Sequence, residues 1–274
     1  MYEFRNLEKV GFEDLTNTWN SAFSDYIVPV NMTPDDTEAY FKLLGIDRSQ
    51  SFGVFYKGTL VGLLMNSVDT FKGRVVAYDA MTGIIPEHRG KGLFSQLFEY
   101  TKNSLKSNGV THYYLEVITT NENAIAIYKK KGGKIEREFS YITGKMDYDF
   151  YHNAMVKALP LSSFPKRELS KYEPSFGNHI AALHRNIDDY QVAYAEAVNR
   201  KSAVIFSTQG LVPQIMFNGA DDNALLCSVF KHLLQCFENV RISNIPITEA
   251  KLINELLHIG FKVLVNQYEM CIEL

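Results

Sequence analysis

Apolar residues recur three or four apart at Phe12, Leu15, Trp19 and Phe23, which predicts a helix over 12–24 behind a short strand at 2–8. A second helix is expected from Asn31-Met-Thr-Pro-Asp-Asp. Thr33 suits its N-cap and Pro34 its first helical position, and Gly45 ends it after Tyr40, Phe41 and Leu44. The period then changes to two. Residues 51–56 and 60–68, joined at Lys57-Gly58, read as an antiparallel hairpin, and a third strand is expected over 74–85. A helix over 91–107 follows, with Leu93, Leu97, Phe98 and Leu105 on one side. Then come a strand at 111–119, a short helix from Asn121 to Lys131, and a strand at 134–143. The order β-α-α-β-β-β-α-β-α-β predicts a mixed α/β (α+β) domain over 1–145. Its strand–helix–strand unit implies one parallel pair with a right-handed crossover in an otherwise antiparallel sheet.

Residues 146–178 are turn-rich, with Pro160, Pro165 and Pro174, and are expected to form the junction to a second domain over 179–274. There the pattern predicts a helix at 180–198, a hairpin from 203–207 and 212–217, and a helix at 224–237. A strand at 240–245, a helix at 249–258 and a strand at 261–273 complete it. This order echoes the first half, with Ile259-Gly260-Phe261 standing where Lys131-Gly132-Gly133 stands earlier. A degenerate duplication accounts for both halves most economically.

Composition narrows the function classes. The 274 residues are 46% hydrophobic and include 18 Phe and 16 Tyr, ample for packed cores. A net charge of −3 argues against a general nucleic-acid or anionic-membrane binder, since both partners demand a basic excess. Cys227, Cys236 and Cys271 are odd in number and show no C-x-x-C spacing, so neither a disulfide framework nor a zinc site is expected. His179 and His184, five apart, do not share a helical face, and no structural metal is expected. The opening MYEFRNLEKV lacks an apolar signal core and no stretch reaches a membrane span, so the expectation is a cytoplasmic protein.

The chemistry concentrates in two motifs. Ile84-Ile-Pro-Glu-His-Arg-Gly-Lys-Gly-Leu-Phe-Ser95 joins a strand to a helix. Glycines at 90 and 92 let the backbone turn tightly, so that N–H groups gather at the positive end of a helix and form a cradle for a pyrophosphate. Arg89 and Lys91 add positive charge. The nucleotide P-loop pattern is absent, and the dinucleotide fingerprint fails because Ser95 stands where its third glycine belongs. Further on stands Leu115-Glu-Val-Ile-Thr-Thr-Asn121-Glu-Asn-Ala-Ile-Ala-Ile-Tyr128-Lys-Lys-Lys-Gly132.

In this order and spacing the two motifs resemble the GNAT acetyltransferases over about residues 1–145. The resemblance implies a mostly antiparallel mixed sheet flanked by helices, and acetyl-CoA as cofactor. Thr82, Gly83 and Ile84 would pair with the pantetheine arm as an added strand does. Arg89, Gly90, Lys91, Gly92, Leu93, Phe94 and Ser95 would wrap the pyrophosphate, chiefly through backbone N–H groups. Asn121 would bond the cofactor near its thioester and cap the next helix, and Tyr128 would protonate the departing thiolate. Two departures stand out: Phe94 replaces the usual small residue, and Gly132-Gly133 replaces the usual Gly-Phe.

A protonated amine, with a pKa near ~10, cannot attack a thioester, so a base is required. Glu116 matches the base of some family members, and a structural carboxylate bonded within the sheet is the plainer alternative. Tyr78 and Asp79 are weaker candidates for contacting substrate. Asp25 and Tyr26 fall where the family often builds its acceptor pocket, with a loop-stabilising pair as the rival account. Lys129-Lys-Lys131 suits either the 3′-phosphate of CoA or a solvated helix end. The second half carries neither motif, and Asn218-Gly-Ala-Asp-Asp has the wrong sign for a phosphate. It is expected to bind no cofactor and instead to wall off the acceptor or form a homodimer interface. The function expected is acetyl transfer to a small-molecule or protein amine; the alternative is an acyl-CoA-binding sensor or scaffold without catalysis.

Overall fold

The computed structural model describes residues 1–25, 30–145, 154–164, 172–217 and 222–274. Tyr26 and Asn218-Gly-Ala-Asp221 lie outside the described residues. The first elements are β1 (Tyr2–Asn6), α1 (Phe12–Ala22), α2 (Pro34–Leu44), β2 (Phe52–Tyr56), β3 (Thr59–Phe71) and β4 (Arg74–Ile84). After them come α3 (Leu93–Ser107), β5 (His112–Ile118), α4 (Glu122–Lys130) and β6 (Lys134–Gly144). The remainder holds β7 (Val156–Pro160), α5 (Ile180–His184), β8 (Tyr190–Ala197), β9 (Arg200–Ser207), β10 (Leu211–Val212) and β11 (Gln214–Met216). It ends with α6 (Asn223–Cys236), β12 (Val240–Pro246), α7 (Ala250–His258) and β13 (Lys262–Glu273).

The chain divides into two compact units. The first comprises Met1–Leu115, Lys129–Lys134 and Cys271–Leu274. Its strands lie in the order β1-β2-β3-β4-β5, antiparallel except for β4 and β5. Local chemistry fixes the helices as the sequence suggests. In α2, Thr33 and Asp36 form a capping box and Pro34 opens the helix. At its end Gly45 takes left-handed backbone (φ 64°), and the N–H groups of Gly45 and Ile46 close on the carbonyls of Lys42 and Phe41. Leu15, Trp19 and Phe41 pack with Phe55, Leu63, Met65 and Met81 into one core. A buried Thr16–Thr37 hydroxyl bond of 2.7 Å ties α1 to α2.

The second unit comprises Glu116–Tyr128 and Ile135–Met270. It holds a sheet in the order β13-β6-β12-β10 and a four-stranded sheet in the order β11-β9-β8-β7. The apolar face of α6, with Leu226, Val229, Phe230 and Leu233, packs among Val204, Ile242, Ile245, Leu256 and Phe261.

Each unit is assembled from more than one stretch of the chain. Residues 135–144 of β6 belong to the second unit, paired antiparallel with β12 from Gly144↔Val240 to Phe139↔Pro246. Conversely, the last four residues join the first unit, where the Leu274 N–H donates to the Thr111 carbonyl at 2.9 Å. The helix expected over 180–198 is corrected. Only Ile180–His184 (α5) is α-helical, Ile187–Asp189 make a 3₁₀ turn, and Tyr190–Ala197 is a strand paired along its length with β9, turning back at Asn199 in left-handed backbone (φ 59°). The Ala-rich run 193–197 favours helix locally, but Tyr190, Val192, Ala193 and Ala195 are buried by sheet packing, which overrides propensity. The strand β7 lies in a stretch expected to be junction.

Candidate active site

In the first unit β4 is bent by a bulge. Met65 pairs with Met81 and Asn66 with Asp79, so Ala80 is the extra residue. The Tyr40 hydroxyl holds the Ala80 carbonyl at 3.1 Å, and Trp19 packs edge-on against Tyr40. Beyond the bulge the strand diverges from its parallel neighbour: β4 and β5 pair only over Val76–Tyr78 and His112–Tyr114, while β4 runs on to Ile84. The exit carries Thr82, Gly83 and Ile84. The Thr82 hydroxyl lies 2.7 and 2.8 Å from the two carboxylate oxygens of Asp79, which is 9% exposed. Gly83 is required by packing, since a Cβ there would stand 2.8 Å from Ala22 Cβ and 2.9 Å from the Phe23 ring.

A short turn of 3₁₀ helix, Pro86–His88, leads to Gly90 (φ 73°) and Gly92 (φ 71°), both in the left-handed region where glycine is unstrained. Gly92 is the N-cap of α3, so no side chain caps the helix, and its first turn holds no acidic residue. The first N–H groups of a helix have no partner within it, and here they meet the positive end of the dipole. Leu93 is buried, whereas Gly90, Lys91, Gly92 and Ser95 are exposed. Phe94 stacks on Phe98 (centroids 5.9 Å), which in turn meets Tyr113 edge-on. The bulk of Phe94 is thus drawn onto its own helix.

The two cationic side chains fold back onto the protein. Arg89 donates to both carboxylate oxygens of Asp25 at 2.6 and 2.9 Å, to the Ala22 carbonyl at 2.8 Å and to the Ile84 carbonyl at 2.9 Å. It therefore clamps the end of α1 to the exit of β4. Lys91 donates to the Glu87 carbonyl at 2.9 Å and to the Tyr2 hydroxyl at 3.3 Å, and Tyr2 also bonds His88 at 2.8 Å. Lys131 pairs with Glu99 at 3.1 Å. A phosphate at this turn would meet mainly backbone donors.

The clamp carries a pH signature. The hydrogen bond from Arg89 holds the Asp25 carboxyl below its usual value. A carboxylate whose folded pKa is depressed adds stability above its unfolded pKa, near ~3.9, and loses it as pH falls through the folded value. Asp25→Asn is therefore expected to melt slightly lower than wild type at pH 7, with the gap closing as pH falls through the depressed value of the folded carboxyl. Thermal melts across pH 2.5–7 check this; a gap that is constant with pH would mean that the ionised pair contributes nothing.

The second unit holds Glu116, Asn121 and Tyr128. Asn121 caps α4: its Oδ1 accepts from the Ala124 N–H at 3.1 Å and its carbonyl from the Ile125 N–H at 3.1 Å. Its side-chain amide N–H groups are what it can offer a ligand. Tyr128 lies on α4, 8% exposed. Glu116, on β5, accepts from Asn244 Nδ2 at 2.6 Å. Asn244 carried no sequence signal, because it belongs to no motif. None of the three cysteines is in a disulfide, and no cluster suited to a metal occurs among the described residues. No described helix is long and apolar enough to cross a membrane.

Solved structures share this architecture along the whole chain. A GCN5-related N-acetyltransferase from Sphaerobacter thermophilus superposes with a TM-score of 0.69 at 11% identity, over 99% of this chain and 95% of that one. A tandem GNAT protein from the clavulanic acid biosynthesis pathway gives 0.67 at 11% identity, over 100% and 98%. At these identities the likeness is one of fold, and the fold is GNAT-like. Residues 12–133 match the model of the Acetyltransferase (GNAT) family. N-alpha-acetyltransferase MAK3 of Arabidopsis thaliana is 28% identical over 115 residues, 42% of this chain and 56% of that protein. The chain spans about half the length of the curated relatives it matches.

Proposed function

We propose that this chain is a cytoplasmic N-acetyltransferase that moves an acetyl group from acetyl-CoA directly to a primary amine in a ternary complex. The observation that carries the reading is the entry to α3: two left-handed glycines lead into an uncapped, acid-free helix N-terminus within the stretch that matches the GNAT family. Backbone N–H groups of residues 90–95 hold the pyrophosphate, and the free edge of β4 at 82–84 takes the pantetheine. Asn121 holds the thioester end of the cofactor. Glu116 accepts the amine's proton and Tyr128 donates one to the thiolate. Residues 1–145 make up this catalytic domain, 146–178 its junction, and 179–274 a GNAT-like domain that has lost the cradle. The relatives are named for acetylation of α-amino groups, which makes the N-terminal amine of a peptide the first acceptor to try.

Calorimetric titration of the full chain with acetyl-CoA tests the cofactor assignment. One site per chain is the expected result and leads to a screen of peptides with free N-termini, then small amines. Two sites would overturn the reading of the second half, and no binding would overturn the function itself.

A further inference from the structure

In the second half of the chain Asn244 meets Glu116 and is itself held within a run of buried polar side chains. The strand β12 is irregular between Ile242 and Ile245, and Ser243 and Asn244 occupy that bulge. Asn244 takes left-handed backbone (φ 54°), which Asn tolerates better than most side chains, and is 7% exposed. Its Nδ2 donates to Glu116 Oε2 at 2.6 Å and to Ser175 Oγ at 3.0 Å. Asn178 Nδ2 donates to the carbonyl and the hydroxyl of Ser243, both at 3.0 Å, and Gln214 Nε2 donates to the Asn178 carbonyl at 2.6 Å. Ser175, Asn178, Gln214 and Ser243 are all buried. From β6, Arg137 forks onto Glu269 with two bonds of 2.7 Å and reaches the carbonyls of Glu173 and Pro174.

The network holds residues 173–178 from two sides and fixes the bulge that presents Asn244. We infer that Asn244 is a positioning residue for the candidate base: the second half of the sequence orients Glu116 and favours its ionised form. This inference rests on the reading of Glu116 as base. An amide N–H given to a carboxylate stabilises the charged state. The charged groups gathered here are Arg137, Glu269 and Glu173, and Arg137 interacts electrostatically with both of these glutamates and with Glu116. Arg137 is forked by Glu269, and Asn244 gives Glu116 Oε2 a direct donor at 2.6 Å from a bulge held in place by the buried network.

The test follows the Glu116 carboxyl of the full chain by ¹³C NMR across pH, with Glu116→Gln assigning the signal. Asn244→Gly keeps the left-handed backbone and loses the amide, and should raise the titration midpoint of Glu116 by about one unit. Asn244→Asp keeps the shape but sets a carboxylate against a carboxylate, and should raise it further. A midpoint unchanged in both folded variants would overturn the inference, and if Asn244→Gly fails to fold, Asn244→Asp alone decides. Full turnover by Glu116→Gln would instead remove the base reading, while the midpoint shift would still stand or fall by itself.

Discussion

Tyr128→Phe is expected to lower kcat by roughly 10²–10³-fold while leaving the affinity for acetyl-CoA unchanged. Loss of the acetyl group leaves a thiolate on CoA, whose charge grows as the tetrahedral intermediate collapses. The usual pKa values of a phenol, near ~10, and a thiol, near ~8.5, are close enough for Tyr128 to hydrogen-bond that charge as it develops and pass its proton to it. Such a bond is strongest in the transition state, and removing it therefore acts on kcat more than on binding. The ring itself is buried on α4 and Phe keeps its volume, so the fold should survive. Steady-state kinetics with an accepted amine, paired with calorimetry for acetyl-CoA, separate the two quantities. A kcat within about threefold of wild type would remove Tyr128 from the chemistry. A sensor without catalysis would show no turnover to lose, and its cofactor affinity would not respond.

Where a structural decision is made within a few residues, the sequence displays it. The capping box at Thr33–Asp36, the stop at Gly45 and the glycine turn into α3 are each set by side-chain chemistry or a required φ, and each is readable locally. The pairing of β6 with β12 is not, because the partners lie about a hundred residues apart and any apolar strand of suitable length satisfies the local pattern. The strand β8 was obscured for a related reason: Ala193-Tyr-Ala-Glu-Ala197 favours helix on its own, and only pairing with β9 makes it extended.

The candidate site shows the same division. The motif places Arg89 beside a phosphate cradle, but a guanidinium is as suited to a carboxylate as to a phosphate. Asp25 is 64 positions away, and the choice between the two is visible only in the fold. Likewise Glu116 and Asn244 are separated by 128 positions, and nothing in the local sequence of either announces the other. Backbone conformation is thus legible at the glycines, whereas long-range side-chain partners are not.

Gly92 offers the sharpest measure of how much the helix entry contributes to cofactor affinity. Asn and Asp are the side chains that enter left-handed backbone most readily, so Gly92→Asn and Gly92→Asp share nearly the same strain at φ 71°. There is room for either, because the nearest heavy atom to a Cβ at this position is Gln96 Nε2, 4.0 Å away. Both add a side-chain oxygen that can reach the first N–H groups of the helix, so the two variants differ in one negative charge at the N-cap. For charges about 5 Å apart at an effective dielectric between 20 and 80, repulsion amounts to roughly 1–3 kcal/mol. Gly92→Asp should therefore bind acetyl-CoA about 30-fold more weakly than Gly92→Asn. The gap should narrow as salt rises from 0.05 to 0.5 M, since screening acts on the charge and leaves the strain untouched. Equal affinities for the two variants would mean that the pyrophosphate of acetyl-CoA does not sit at this helix. In that case the left-handed glycines serve only to turn the chain from β4 into α3.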